Sequence, residues 1–310
     1  MNLNSKIYVA GHRGLVGSAL VRMLLSQGFD NLLTVPHSQI DLCDPVAVKW
    51  LFSVHKPEYV FLCAAKVGGI FDNREHPLDF FIKNMKIEMN VLENAADYGV
   101  KKLVFLGSSC AYPPGCPQPI KEEYLLSGPF QEEVEAYGLA KVCGVRLCQW
   151  YRKVRGRNFV SAMPCNLYGV GDNFDPKTAH CVPALLARMH RAKTKGEPHF
   201  FVWGDGTQRR ELLFADDLAE ALLLVMEKYD GAEPINTGSG YEITIQDLAV
   251  QIARTVKYSG LIRFDPEAPT GTMRKLLDNS KIFSLGWTPR TPFDAALRLT
   301  YQDFCGKVGA

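Results

Sequence analysis

Tyr137 and Lys141 stand four residues apart in a stretch whose spacing predicts a helix over 132–155. Residues at i and i+4 share one face of a helix, so this phenol and this ammonium can reach the same small volume. A neighbouring ammonium favours the phenolate, and the expectation is a tyrosine acid drawn below its unperturbed pKa of about 10. Alone, such a pair is more often an ordinary surface pair. Here it follows a Ser108-Ser109-Cys110 element and, far upstream, the loop Gly11-His12-Arg13-Gly14-Leu15-Val16-Gly17. A cysteine is a capable base once it is a thiolate, although little of a free thiol is ionised near neutrality. Alone it would read as a small buried hydrophobe.

Gly11, Gly14 and Gly17 follow a short β-branched run and open a helical pattern, the context in which this spacing carries weight. Missing side chains let the backbone approach a pyrophosphate, whose charge sits at the positive end of the helix. The combination points to a nicotinamide-dependent enzyme. NAD-selective sites usually place Asp or Glu at the end of the second strand to hold the ribose 2′-hydroxyl. That place holds Val35, Pro36 and His37, while Arg13 and His37 could attract a 2′-phosphate, so NADP(H) is favoured. Asp41 suits either an adenine contact or a helix-leading turn.

The elements that must position these groups read as alternating strands and helices. Strands are expected over 6–10, 32–35, 59–64, 102–107 and 158–163, with helices over 18–27, 45–56, 77–98 and 132–155. That alternation predicts an α/β fold with a doubly wound parallel sheet of Rossmann type and its site at the carboxyl ends of the strands. Looser Gly, Asp, Asn and Pro usage after Tyr168 marks where a smaller α/β substrate-binding lobe begins. The expected division is a dinucleotide-binding domain over 1–165, rejoined by about 212–231, and a substrate lobe over 166–310. The 310 residues carry 47% hydrophobic and 22% charged side chains with a formal net charge of +2, which provides no basic field for nucleic acid. Nine scattered cysteines without a CxxC pair predict reduced thiols, a cytoplasmic location and no metal site. No apolar run approaches a membrane span of about 20 residues.

With these residues assembled, the chain resembles the extended short-chain dehydrogenase/reductases, and within them the enzymes that act on GDP-4-keto-6-deoxy-D-mannose. The resemblance runs nearly end to end. Beyond the glycine loop and YxxxK it includes the strings Lys66-Val67-Gly68-Gly69-Ile70, Ser108-Ser109-Cys110, Asn166-Leu167-Tyr168-Gly169, Trp203-Gly204-Asp205-Gly206 and Arg274-Lys275-Leu276-Leu277-Asp278. It implies inversion at C3 and C5 of a GDP-bound keto sugar, followed by NADPH-dependent reduction at C4. In that reading Cys110 is the base and His180 the acid of the inversions. Tyr137 then gives a proton to the C4 oxygen, Ser108 hydrogen-bonds that oxygen, and Lys141 holds the cofactor ribose and tunes the tyrosine. The cofactor would also meet residues 11–17, Asp41, Leu106, Gly107, Ser109, Pro164, Cys165, Asn166, Leu167 and His180. The GDP-sugar would be held by Arg188, Trp203, Arg210 and Asp278, although Trp203 equally suits core packing and Asp278 equally suits capping a helix near Ser280. The second strand lacks the arginines that usually hold the 2′-phosphate in this family.

A nucleotide-sugar 4-epimerase or 4,6-dehydratase of the same superfamily is the nearest alternative. A dehydratase usually carries Thr-Asp-Glu where this chain has Ser109-Cys110-Ala111. A non-catalytic NADP-binding scaffold is the alternative of a different class. Val142, Val145, Leu147 and Trp150 exceed what the sheet needs, and they suggest a homodimer pairing the helices over 77–98 and 132–155.

Overall fold

The computed structural model describes residues 1–175, 177–268 and 271–309. Its first strand, β1 (Ile7–Ala10), is buried along its whole length, as a strand covered on both faces must be. The chain continues through α1 (Leu15–Ser26), β2 (Leu32–Leu33), α2 (Pro45–His55), β3 (Tyr59–Leu62), α3 (Ile70–Glu75) and α4 (Pro77–Asp97). Next come β4 (Lys102–Leu106), α5 (Glu135–Arg155), β5 (Phe159–Pro164), β6 (Asn166–Tyr168), α6 (Cys181–Thr194), β7 (His199–Trp203) and β8 (Arg209–Phe214). The remainder is α7 (Ala215–Lys228), β9 (Ile235–Thr237), β10 (Glu242–Thr244), α8 (Ile245–Val256), β11 (Leu261–Asp265), β12 (Arg274–Lys275), α9 (Ser280–Ser284) and α10 (Phe293–Val308).

Six strands form one parallel sheet in the order β2-β1-β3-β4-β5-β9. The order reverses at β1, so a crevice opens beyond the carboxyl ends of β1 and β3, where doubly wound sheets bind ligands. A smaller sheet runs β10-β8-β12 with β6 also on β8, and β11 pairs with β7. Two apolar clusters follow this arrangement. One surrounds the large sheet; the other joins α6, α8 and α10 to the smaller strands.

Local chemistry accounts for some element ends. Asp44 caps α2 by accepting from the Val46 N–H at 2.8 Å, and Pro45 occupies the first helical position, where no N–H is missed. Several expected bounds shift by one to three residues, two of them for a visible local reason. The second strand stops at Leu33, because the Pro36 carbonyl turns back to accept from the Gln39 and Ile40 N–H groups. The helix expected from 132 begins at Glu135 after a 3-10 turn over Glu132–Val134. Val142 and Val145 lie in the main core, not on the surface where the sequence reading placed them. Trp150 is exposed as expected, and it is joined by Leu139 and Val154 on α5 and by Leu78, Ile82 and Met89 on α4.

Glu211 holds the smaller sheet together. Buried in β8, its Oε1 accepts from the Gly240 N–H and the Asn279 amide, both at 2.7 Å, and its Oε2 accepts from the Leu277 N–H at 2.9 Å. One carboxylate thereby joins β8 to the turn before β10 and to the segment between β12 and α9. In Glu211→Gln an amide NH2 replaces one acceptor and faces donors, leaving buried N–H groups unmet. The expected loss is about 2–3 kcal/mol, read as a lower urea midpoint at unchanged m-value. A midpoint equal to the parent's would show that this carboxylate does not organise the smaller sheet.

Candidate active site

β4 ends at Leu106, and the chain turns through Gly107 into a single 3-10 turn over Ser109–Ala111. The Ser108 hydroxyl caps that turn by accepting from the Cys110 N–H at 3.1 Å. α5 lies directly against it. A Cβ at Gly138 would sit 2.7 Å from the Cys110 carbonyl oxygen, so only glycine lets Cys110 rest one residue beyond Tyr137. Ser108, Cys110, Tyr137 and Lys141 therefore meet at the carboxyl end of β4.

Tyr137 is half-buried, with the Phe80 ring edge-on at 6.2 Å between centroids. Burial pushes its hydroxyl well above the ordinary tyrosine value; the Cys110 sulfur adds to that rise and Ser108 opposes it. This corrects the expectation of a phenol acidified by Lys141. The ammonium is committed elsewhere: Lys141 Nζ donates to the Leu106 carbonyl at 3.1 Å and lies 3.2 Å from Glu88 Oε1. It also sits over the Phe105 ring, 4.7 Å from its centroid, against 5.9 Å to that of Tyr137.

Glu88, on α4, is completely buried and was not singled out in the sequence. Neither of its carboxylate oxygens has an aligned hydrogen bond, so the contact with Lys141 acts by charge attraction. Burial pushes the carboxyl up to about 7 against the pull of the ammonium. A signal was present: Phe80, Asn84 and Glu88 fall at i, i+4 and i+8, so two polar residues occupy the buried face of α4. Asn84 has its own task. It accepts from the Lys66 N–H at 2.9 Å and donates to the Lys66 carbonyl at 3.0 Å, fixing the loop that runs to Ile70.

The same loop positions His180. The Gly69 N–H donates to the Thr178 carbonyl at 2.8 Å, and Asn173 donates to the Thr178 hydroxyl, also at 2.8 Å. His180 occupies the capping position before α6. It keeps a solvent-open face in the cleft while protein encloses its other sides, and that enclosure lowers its basicity.

Gly11 adopts φ +85°, and a Cβ at Gly17 would sit 2.1 Å from the Gly11 carbonyl oxygen. These two glycines close the turn and seat α1 on it; Gly14 meets only that oxygen at 3.4 Å and leaves the helix N-terminus open. Leu15 and Val16 begin α1, and His12 and Arg13 flank the opening. The loop thus fits the pyrophosphate of a dinucleotide. Leu106, Gly107, Ser109, Pro164, Cys165, Asn166 and Leu167 line the adjoining ends of β4, β5 and β6. Asp41 accepts from the Cys43 N–H at 2.8 Å and sits 3.8 Å from His37, the helix-leading turn of the two readings.

The other side of the cleft comes from the smaller sheets. Arg188 donates to the Phe201 carbonyl at 2.7 Å and stacks its guanidinium 4.9 Å from the Trp203 ring. Trp203 is 44% exposed and meets Phe71 edge-on at 5.2 Å, so it is a surface platform rather than core. Arg210 donates to the Thr272 carbonyl at 2.5 Å. Asp278 accepts from the Ser280 N–H at 2.9 Å and from its hydroxyl at 2.5 Å, which is the capping arrangement.

The profile of the NAD dependent epimerase/dehydratase family matches residues 7–238. GDP-L-fucose synthase 1 of Arabidopsis thaliana is 48% identical over 305 residues, which are 98% of this chain and 94% of that protein. A GDP-L-fucose synthetase from Naegleria fowleri, solved bound to NADP, superposes with TM-score 0.92 at 29% identity, covering 100% of this chain and 97% of that one. A GDP-6-OMe-4-keto-L-xylo-heptose reductase from C. jejuni superposes with TM-score 0.93 at 33% identity over 99% of both chains. The glycine-seated helix, the Ser108-Tyr137-Lys141 corner and these matches agree, and the chain belongs to the NAD dependent epimerase/dehydratase family, within its GDP-L-fucose synthase group.

Proposed function

We propose that this protein converts GDP-4-keto-6-deoxy-D-mannose to GDP-L-fucose, inverting C3 and C5 and then reducing C4. The observation that carries this reading is the contact of the Cys110 turn with α5 at Gly138, which puts a candidate carbon base beside a tyrosine acid. The C4 carbonyl acidifies the C–H bonds on both neighbouring carbons, so one base can serve both positions through an enolate. Cys110 takes each proton and His180 returns one to the opposite face. NADPH, held by the glycine loop, supplies the hydride at C4. Tyr137 is suited to the accompanying proton transfer because burial keeps its hydroxyl protonated, making it a donor to the C4 oxygen and never a ground-state base. Ser108 hydrogen-bonds that oxygen, and Lys141, fixed by Glu88 and Leu106, presents its charge next to the phenol. Arg188 and Arg210 are the diphosphate contacts, and Trp203 offers a flat face to the nucleotide. Asp278 contributes through its second carboxylate oxygen.

We further infer a dinucleotide-binding lobe around the six-stranded sheet and a substrate lobe around the smaller sheets, with the cleft between them. Leu78, Ile82 and Met89 with Leu139, Trp150 and Val154 give α4 and α5 an exposed apolar stripe that suits pairing with a second copy. Nine unpaired cysteines fit a reducing compartment such as the cytoplasm. Among the described residues no helix is long and apolar enough to cross a membrane.

NADPH oxidation with GDP-4-keto-6-deoxy-D-mannose should yield GDP-L-fucose by NMR. GDP-rhamnose alone would mean a plain 4-reductase, and no oxidation would return weight to a scaffold. Cys110→Ser should abolish epimerisation and spare direct C4 reduction. In that variant the single-turnover reduction rate should hold from pH 7 to about 10, since the phenol stays protonated there. A tenfold fall per pH unit beginning below that point would show an acidified tyrosine after all. Light scattering should give twice the 34.6 kDa chain mass, and Trp150→Glu should halve it.

A further inference from the structure

Cys110 needs a positive partner if its sulfur is to act as a base. Enclosure lowers the basicity of His180. The cation that reaches the sulfur comes from a different element: Lys275 Nζ lies 3.8 Å from Cys110 Sγ across 165 residues of chain. That sulfur is the ammonium's only hydrogen-bond partner, and no carboxylate pairs with it, among the described residues. Its neighbour in register, Arg210, also faces Cys110, but its guanidinium is bound to the Arg209 and Thr272 carbonyls. Tyr137 faces the sulfur from α5, and the Cys116 thiol faces Lys275 from the loop beyond β4.

The backbone around Lys275 is held firmly. β12 runs parallel to β8 with Lys275 opposite Arg210. Directly after it, the Leu276 N–H donates to the Gln118 side chain at 2.8 Å, and the Leu276 carbonyl accepts from the Ile120 N–H at 2.7 Å. The Leu277 N–H is bound by Glu211 at 2.9 Å. The ammonium is thus aimed at the sulfur before any substrate arrives, which is where preorganised charge acts best.

We propose that Lys275 is the fixed counter-charge of Cys110, its ammonium placed to stabilise negative charge on the sulfur that removes the protons from C3 and C5. This rests on the epimerase/reductase reading above. In the step, an S–H bond forms, the C–H bond breaks, and its electron pair moves into the C4 carbonyl as an enolate. His180, in its imidazolium form, then protonates the carbon from the other side, and the enolate electron pair returns to that carbon. Cys110 ends as the thiol and His180 as neutral imidazole, and exchange with water through the open face of the cleft resets both.

Two measurements test this in the full-length enzyme: iodoacetamide alkylation of Cys110 at pH 7, followed peptide by peptide, and solvent deuterium entering C3 and C5 of the keto sugar. Lys275→Met should slow Cys110 alkylation about tenfold, as loss of one adjacent charge implies, and lower the ratio of deuterium exchange to C4 reduction similarly. Lys275→Arg, which retains the charge, should recover most of both. An unchanged alkylation rate in Lys275→Met would overturn the proposal, as would a raised KM at an unchanged exchange-to-reduction ratio, which would make Lys275 a substrate contact. Lys275→Arg behaving like Lys275→Met would also overturn it. If the parent enzyme shows no C3 or C5 exchange, the epimerase reading fails by itself, while alkylation still reports on the charge pairing.

Discussion

Lys141 is 2% exposed, and removing an ammonium that far from water costs several kcal/mol unless other groups replace its hydration. Three do. The Leu106 carbonyl accepts from it, Glu88 supplies the opposite charge, and the face of Phe105 lies 4.7 Å away. Leu106 and Phe105 lie at the end of β4 and Glu88 on the buried face of α4. Satisfying one buried charge therefore requires α4, α5 and β4 to be in place together, and Tyr137, one turn before Lys141, is carried to the carboxyl edge of the sheet as a result.

The two ionisable groups on either side of that ammonium are moved in the same direction for the same reason. Burial raises both the Glu88 carboxyl and the Tyr137 hydroxyl, because each would be charged on losing its proton. For Glu88 the attraction of Lys141 opposes the rise, and for Tyr137 the nearby sulfur adds to it. The outcome is a neutral phenol that can give up a proton when negative charge develops on a carbonyl oxygen, with a cation close by to receive the resulting phenolate.

The far wall of the cleft depends on β8. Glu211 ties that strand to three backbone or amide donors, and Arg210 and Lys275 stand side by side in the parallel pairing of β8 with β12. A disturbance at Glu211 would reach both cations through the backbone. Trp203 against Phe71 is the matching contact at the outer end of the cleft, where α3 meets β7.

The parallel sheet, the glycine turn and the shared face of Tyr137 and Lys141 were legible in the amino-acid order because each follows from local periodicity and steric demands a few residues long. Cys110 beside Ser108 was legible for the same reason. Burial was not, and burial decided the rest. It reversed the expected shift at Tyr137, drew Val142 and Val145 into the core, and lowered the basicity of His180. Glu88 with Lys141 and Lys275 with Cys110 are pairs between distant segments, brought together only when the strands take their places. The sequence by itself determined which chemical groups are present and which local turns present them. Only the tertiary structure decided which groups lose their water and which charge stands next to which, because both depend on distances in space that spacing along the chain does not encode.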